Sequence, residues 1–84
     1  TTAPGEKTFA VIRERVDAIV TVTDEAIVDA MRFAFERMKI VLEPSGASAL
    51  AALRSGQLDI AGAHVGVTLS GGNVDTERFR ALLA

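Results

Sequence analysis

Residues Val65–Asp75 read VGVTLSGGNVD. Val65, Val67 and Leu69 alternate with Gly66 and Thr68, the period-two pattern of a strand. The alternation stops at Ser70-Gly71-Gly72-Asn73, where adjacent glycines let the backbone turn without a Cβ and approach another group closely. Asp75 and Thr76 then stand where they can cap a short helix carrying Phe79, Leu82 and Leu83. Strand, glycine turn and helix in this order put a ligand beyond the carboxyl end of a parallel strand. A hydroxyl at Ser70, where the strand ends, is placed to meet that ligand. A plain tight connection through Gly71-Gly72 satisfies the same pattern, so the turn by itself leaves both readings open.

Upstream, Gln57–Ala63 reads as a loop, and before it stands Glu43–Leu53, EPSGASALAAL. Pro44 should break the preceding helix near Val41–Glu43, and Ser45 is positioned to cap the next one. Ala47, Ala49, Ala51 and Ala52 make that next helix thin, so it can pack very close to a neighbour, while Leu50 and Leu53 supply apolar bulk. Gly56 is its natural stop.

Further out, Thr23-Asp24-Glu25 is a helix start, with a capping hydroxyl and acids at the positive end of the helix dipole. Ile27, Met31, Phe35 or Ala34, Met38 and Leu42 form a long apolar stripe, and Arg32, Glu36 and Lys39 fall largely on the other face. The methionines read as core filler. Ala18–Val22 (AIVTV) is short, β-branched and apolar, as for a strand covered on both faces. Phe9, Ile12 and Val16 predict a helix from about Lys7 to Val16, ended by Asp17 and preceded by an incoming loop at Thr1–Gly5.

The order is therefore helix, strand, helix, helix, strand, helix, an α/β pattern whose strands, joined by a long helical crossover, should be parallel and right-handed. These strands alone do not make a sheet covered on both faces, so the rest of the sheet is expected in other chain. A chain of 84 residues is one domain at most, with a small core. The net charge of −2 and the lack of a Lys/Arg cluster give no reason to expect nucleic acid. There is no cysteine, hence no disulfide framework or thiolate metal site. No apolar run nears the ~20 residues that span a bilayer, and nothing resembles a signal peptide. The chain does not open on Met, as expected of a processed or nicked chain or part of a longer one. A soluble, cytoplasmic setting is expected.

EPSGA followed by SGGNVD resembles the pyridoxal-phosphate-dependent threonine/serine dehydratases, including the closely related serine racemases. The resemblance runs from Ala3-Pro4-Gly5-Glu6 with Thr8-Phe9, through Glu36-Arg37-Met38-Lys39, to Ser70–Asp75. It corresponds to about the C-terminal quarter of such an enzyme. The combination of motifs is specific; neither is so alone. The resemblance implies a segment, residues 1–84, of the large three-layer domain of a fold type II enzyme, tryptophan synthase β-like and not a complete domain. The implied reaction is β-elimination of water from L-threonine or L-serine, giving a 2-oxo acid and ammonia. Serine or hydroxyaspartate racemases and dehydratases are the nearest alternatives. A small non-catalytic α/β ligand-binding module is the alternative of another class.

The resemblance also implies roles for residues. Ser70 matches the serine that faces the cofactor's ring nitrogen. A hydroxyl there shares a hydrogen bond and leaves the ring a weaker electron sink than a carboxylate partner would. That suffices for eliminating a β-hydroxyl. Gly71 and Gly72 would keep the wall beside the cofactor free of side chains. Glu43 matches a glutamate near the ring, although a carboxylate there also complements a helix dipole. Ser45 and Gly46 join the same wall. Asn73 is expected to stabilise the turn through its own amide. Lys39 and Asn73 match a nucleotide effector site of some serine racemases, but Lys39 on a polar helix face reads as a solvated lysine. His64 is given no role. The Schiff-base lysine motif, the phosphate-cradling glycine loop, the substrate-carboxylate loop and the family's divalent cation site (Mg or Ca) would all lie upstream of Thr1. So no catalytic residue and no metal ligand is assigned here. The expected partners are the rest of the enzyme, an amino-acid substrate and further copies in a homo-oligomer, with no nucleic acid and no membrane.

Overall fold

The computed structural model describes residues 5–84, so the expected loop at Thr1–Gly5 lies outside them except for Gly5. Helix α1, Glu6–Arg15, has Glu6 in its first turn and Arg13 and Arg15 in its last, each at the dipole end that favours its charge. It buries no residue, and the Arg13 guanidinium lies 5.7 Å from the centre of the Phe9 ring. Helix α2, Asp24–Phe33, begins as its sequence demands: the Thr23 hydroxyl accepts the Ala26 N–H at 3.1 Å.

The end of α2 differs from the expectation. The helix widens into a π turn at Ala34–Met38 and stops, with Lys39 left-handed at φ 61°. The Ile40 N–H donates back to Ala34 O at 3.0 Å, and Lys39 Nζ caps Glu36 O at 2.8 Å. Pro44 is therefore not what ends this helix. The closure at Lys39 turns the chain several residues earlier, and Leu42 enters the core from a connecting segment rather than from a helical stripe. Ala34, not Phe35, takes the buried position of the stripe.

A single 3₁₀ turn, Ser45–Ala47, leads into α3, Ser48–Arg54. Ser45 does not cap it. Pro44 holds the cap position, its carbonyl accepts the Ala47 N–H at 3.1 Å, and Ser48 Oγ donates to the Ser45 carbonyl at 2.9 Å. Ala47, Ala51 and Ala52 are buried, so the small side chains do let α3 lie close on α2. Arg54 straps the two helices together by pairing with Asp29 at 2.9 Å and lying 4.1 Å from the centre of the Phe33 ring. Gly56 at φ 77° ends the turn after α3.

Helix α4, Thr76–Leu83, is capped by Asp75, whose carboxylate accepts the Arg78 N–H at 2.8 Å. It returns to α2: Phe79 meets Phe35 edge to face at 5.1 Å, and Arg32 donates to the Leu83 carbonyl. The core is thus Ala30, Met31, Ala34, Leu42, Ala47, Ala51 and Phe79, gathered from α2, α3, α4 and the segments between them.

The two expected strands are not formed. Among the described residues Ala18–Val22 and Val65–Leu69 carry no ladder, and the elements are all helical. A strand exists only through a neighbour's hydrogen bonds, and neither segment pairs with the other. Ile19 is left 78% exposed and Val65 45%.

Met31 is the largest fully buried side chain of this core. Met31→Ala should lower the unfolding free energy by about 2–5 kcal/mol. Met31→Leu, which conserves volume, should cost less than about 1.5 kcal/mol. Chemical denaturation of the protein that carries this chain measures both.

Candidate functional site

The turn after Leu69 does not stand free. Gly71 adopts φ 75°, and its carbonyl accepts the Glu43 N–H at 3.0 Å. This bond joins the EPSGA segment to the SGGN segment. Glycines then make the approach possible from both sides. A Cβ on Gly46 would fall on the Ser70 carbonyl and lie 2.8 Å from Gly71 O. A Cβ on Gly71 would run into the Glu43 carboxylate, and one on Gly72 would sit 2.8 Å from Val41 O. Gly46 and Gly72 are therefore required where backbone lies on backbone, and Gly71 is favoured by its positive φ, with the Glu43 side chain packed over it.

The expected site residues are thus brought together. Ser70, Gly71 and Glu43 lie side by side, with Gly46 beneath them. Ser70 is exposed, and its hydroxyl has no hydrogen-bond partner among the described residues. Asn73 does not hold the turn as expected. The Val74 N–H closes it by donating to Gly72 O at 2.8 Å, because the short Gly72-Asn73-Val74 reversal satisfies its backbone locally and leaves the amide outside.

Beside this contact lies a cleft of 410 Å³ lined by Glu43, Pro44, Ser45, Asn73, Val74, Asp75 and Arg78. Ser70 and Gly71 stand outside it. Arg78 is a residue that sequence reasoning passed over. Its signal was its spacing from Asp75: the cap that takes the Arg78 N–H also sets Arg78 in the first turn of α4, at the cleft. Asp75 is occupied as a cap, so Glu43 and Arg78 are the charged groups left to face a ligand there. Lys39 and His64 line none of it, and both are exposed. No group of three or more His, Cys, Asp or Glu side chains among the described residues can hold a metal ion.

Residues 1–71 match the family described as "Pyridoxal-phosphate dependent enzyme". The chain belongs to this family. It is 48% identical over 79 residues to the L-threo-3-hydroxyaspartate ammonia-lyase of Pseudomonas sp, covering 94% of this chain and 25% of that protein. It is 44% identical to the serine racemase of Schizosaccharomyces pombe, covering 95% of this chain and 25% of the other. The L-threonine ammonia-lyase of Thermotoga maritima is 42% identical, with 95% of this chain and 20% of that protein covered. In three dimensions the chain is similar to the crystal structure of a T.th. threonine deaminase, with a TM-score of 0.73 and 46% identity over 84% of this chain and 26% of the other. That likeness establishes the fold type II scaffold. The chain spans about a quarter of the length of the first two of these relatives.

A pyridoxal phosphate enzyme needs a wall that lets the flat ring come close and a group that meets its nitrogen. The residues present fit the second need through the Ser70 hydroxyl, unused by the other described residues, while the space a Cβ would take at Gly71 and Gly72 is filled by the Glu43 carboxylate and the Val41 carbonyl.

Gly46→Val should push Ser70 and Gly71 off the Glu43 segment. A cost of the size seen when side chains are forced into filled space predicts about tenfold weaker pyridoxal phosphate binding or more, read by titrating the apoenzyme with the cofactor.

Proposed function

We propose that this chain is the C-terminal segment of the pyridoxal-phosphate-binding large domain of a threonine/serine dehydratase, an ammonia-lyase that removes water from L-threonine or L-serine to give a 2-oxo acid and ammonia. The observation that carries this reading is the contact between Glu43–Gly46 and Ser70–Gly72, which brings the two family motifs together and leaves the exposed Ser70 hydroxyl unpaired beside it. Bound pyridoxal phosphate supplies the electron sink that makes the substrate's α-proton removable. Ser70 would share a hydrogen bond with the ring nitrogen. As a neutral partner it would not hold that nitrogen protonated, which suits a rapid elimination. Gly71 would add no side chain beside the ring, and Glu43 would set the polarity there. The lysine that anchors the cofactor, the phosphate loop and any divalent cation site belong to upstream residues. This chain by itself is therefore inactive.

The second reading, a serine racemase or hydroxyaspartate ammonia-lyase, is favoured by one observation: the identities of 48% and 44% are to proteins of those names. The wall formed by Ser70, Gly71 and Glu43 serves either outcome. The side chains that distinguish the substrates lie elsewhere.

The exposed apolar residues Ile19, Val20, Ile40, Val41 and Val65 support a segment covered by more protein rather than a stand-alone module. In the complete enzyme Ala18–Val22 and Val65–Leu69 become parallel strands of the central sheet, whose neighbours supply the ladder they lack here. Such an enzyme works on free amino acids in the cytoplasm, as a homo-oligomer. No helix among the described residues is long and apolar enough to cross a membrane.

Ser70→Ala in the full-length enzyme should cut turnover of L-threonine or L-serine by at least about tenfold and shift the visible absorption band of the bound cofactor. Formation of 2-oxo acid and the spectrum are the readouts. Unchanged turnover with an unchanged band would remove Ser70 from the ring nitrogen.

A further inference from the structure

The segment that delivers Glu43 to Gly71 begins at a single unusual residue. Lys39 is the only non-glycine residue with positive φ among the described residues, at 61°. Such a conformation is disfavoured for any residue with a Cβ, and most of all for a β-branched one. Yet the closure around it is well made. The N–H groups of Lys39 and Ile40 both point to the carbonyl of Ala34, the latter at 3.0 Å, and Ala34 is fully buried. The final turn is π-helical, so the closure is one residue wider than the usual left-handed helix cap. Lys39 Nζ folds back on Glu36 O at 2.8 Å, so the side chain serves its own helix end and does not reach the cleft.

The residues after Lys39 depend on the direction this pivot gives. Leu42, 3% exposed, enters the core; the Val41 carbonyl meets the Gly72 backbone; the Glu43 N–H binds Gly71 O. Ile40, Val41 and Leu42 alone separate the pivot from Glu43. A change of backbone angle at Lys39 is therefore transmitted to the joint between the EPSGA and SGGN segments without a flexible stretch to absorb it. We infer that Lys39 is a positioning residue, whose left-handed backbone, and not its charge, sets the Glu43–Gly71 contact and through it the placement of Ser70. The inference deepens the proposed cofactor role of Ser70 and rests on it only for its effect on the cofactor.

The test uses the full-length protein and three variants. Lys39→Gly and Lys39→Asn accept a left-handed backbone and remove the charge; Lys39→Val opposes that backbone. Amide hydrogen exchange is followed at Glu43, whose N–H is the contact itself, and at Ala34, inside the helix end that is common to all variants. The expected result is about tenfold lower protection of Glu43 relative to Ala34 in Lys39→Val, with the cofactor band shifted. In Lys39→Gly and Lys39→Asn both readouts should match the unmutated protein. Equal loss of protection at Glu43 and Ala34 in Lys39→Val would make Lys39 a merely structural cap and overturn the inference. So would a loss in Lys39→Gly or Lys39→Asn as large as in Lys39→Val, since charge would then be what matters. A full-length protein with no cofactor band would instead overturn the proposed function, and the exchange comparison would still decide the role of Lys39.

Discussion

Two backbone segments far apart in sequence lie against each other, with the Glu43 carboxylate packed over Gly71. The Glu43 N–H to Gly71 O bond fixes the register of the contact, and Gly46, Gly71 and Gly72 make it sterically possible. Close approach of this kind gains little from apolar burial. Its value is geometric, because it holds the backbone that carries the Ser70 hydroxyl. A hydroxyl on a free loop would have to be ordered anew each time a ligand arrived, at a cost in conformational entropy.

The scaffold under this contact is made of small residues. Ala30, Ala34, Ala47 and Ala51 are all fully buried, and Met31 supplies the bulk among them. Alanine on facing helices brings the axes close, which lets the short turn at Ser45–Ala47 present Gly46 directly to the SGGN backbone. Phe79 closes the core from α4, and the Asp75 cap that starts this helix is also the downstream edge of the turn. The same residues that end the glycine turn therefore begin the helix that braces it. Ile19, Ile40 and Val65 lie outside this core and are exposed.

The parts of this arrangement that depend on neighbouring residues in sequence were legible. Thr23 and Asp75 cap the helices that their position three residues ahead of the receiving N–H groups foretold. Ala47, Ala51 and Ala52 are buried, as their small size suggested, whereas Ala49 is exposed. The pairing of Glu43 with Ser70–Gly71 came from resemblance and not from periodicity, since nothing local says that two turns will meet. The end of α2 was misread for the same reason. Pro44 is a loud local signal, whereas the pivot at Lys39 is set by the buried Ala34 carbonyl and by Leu42 finding the core. The composition of Ala18–Val22 and the alternation at Val65–Leu69 read as strand, but neither segment forms one among the described residues, because neither has a paired neighbour. Arg78 escaped because its one signal, the spacing from the Asp75 cap, says nothing of the cleft beside it.

The chain belongs to the pyridoxal-phosphate family, and its likeness to the threonine deaminase gives the fold. The most direct measurement is a crystal structure of the full-length protein with pyridoxal phosphate bound, refined well enough to place Ser70 Oγ and the ring nitrogen. The expected result is a separation of about 2.7–3.2 Å between them, with the Glu43 N–H still donating to Gly71 O. A ring nitrogen turned to another side chain, or EPSGA and SGGN segments parted in the holoenzyme, would contradict it.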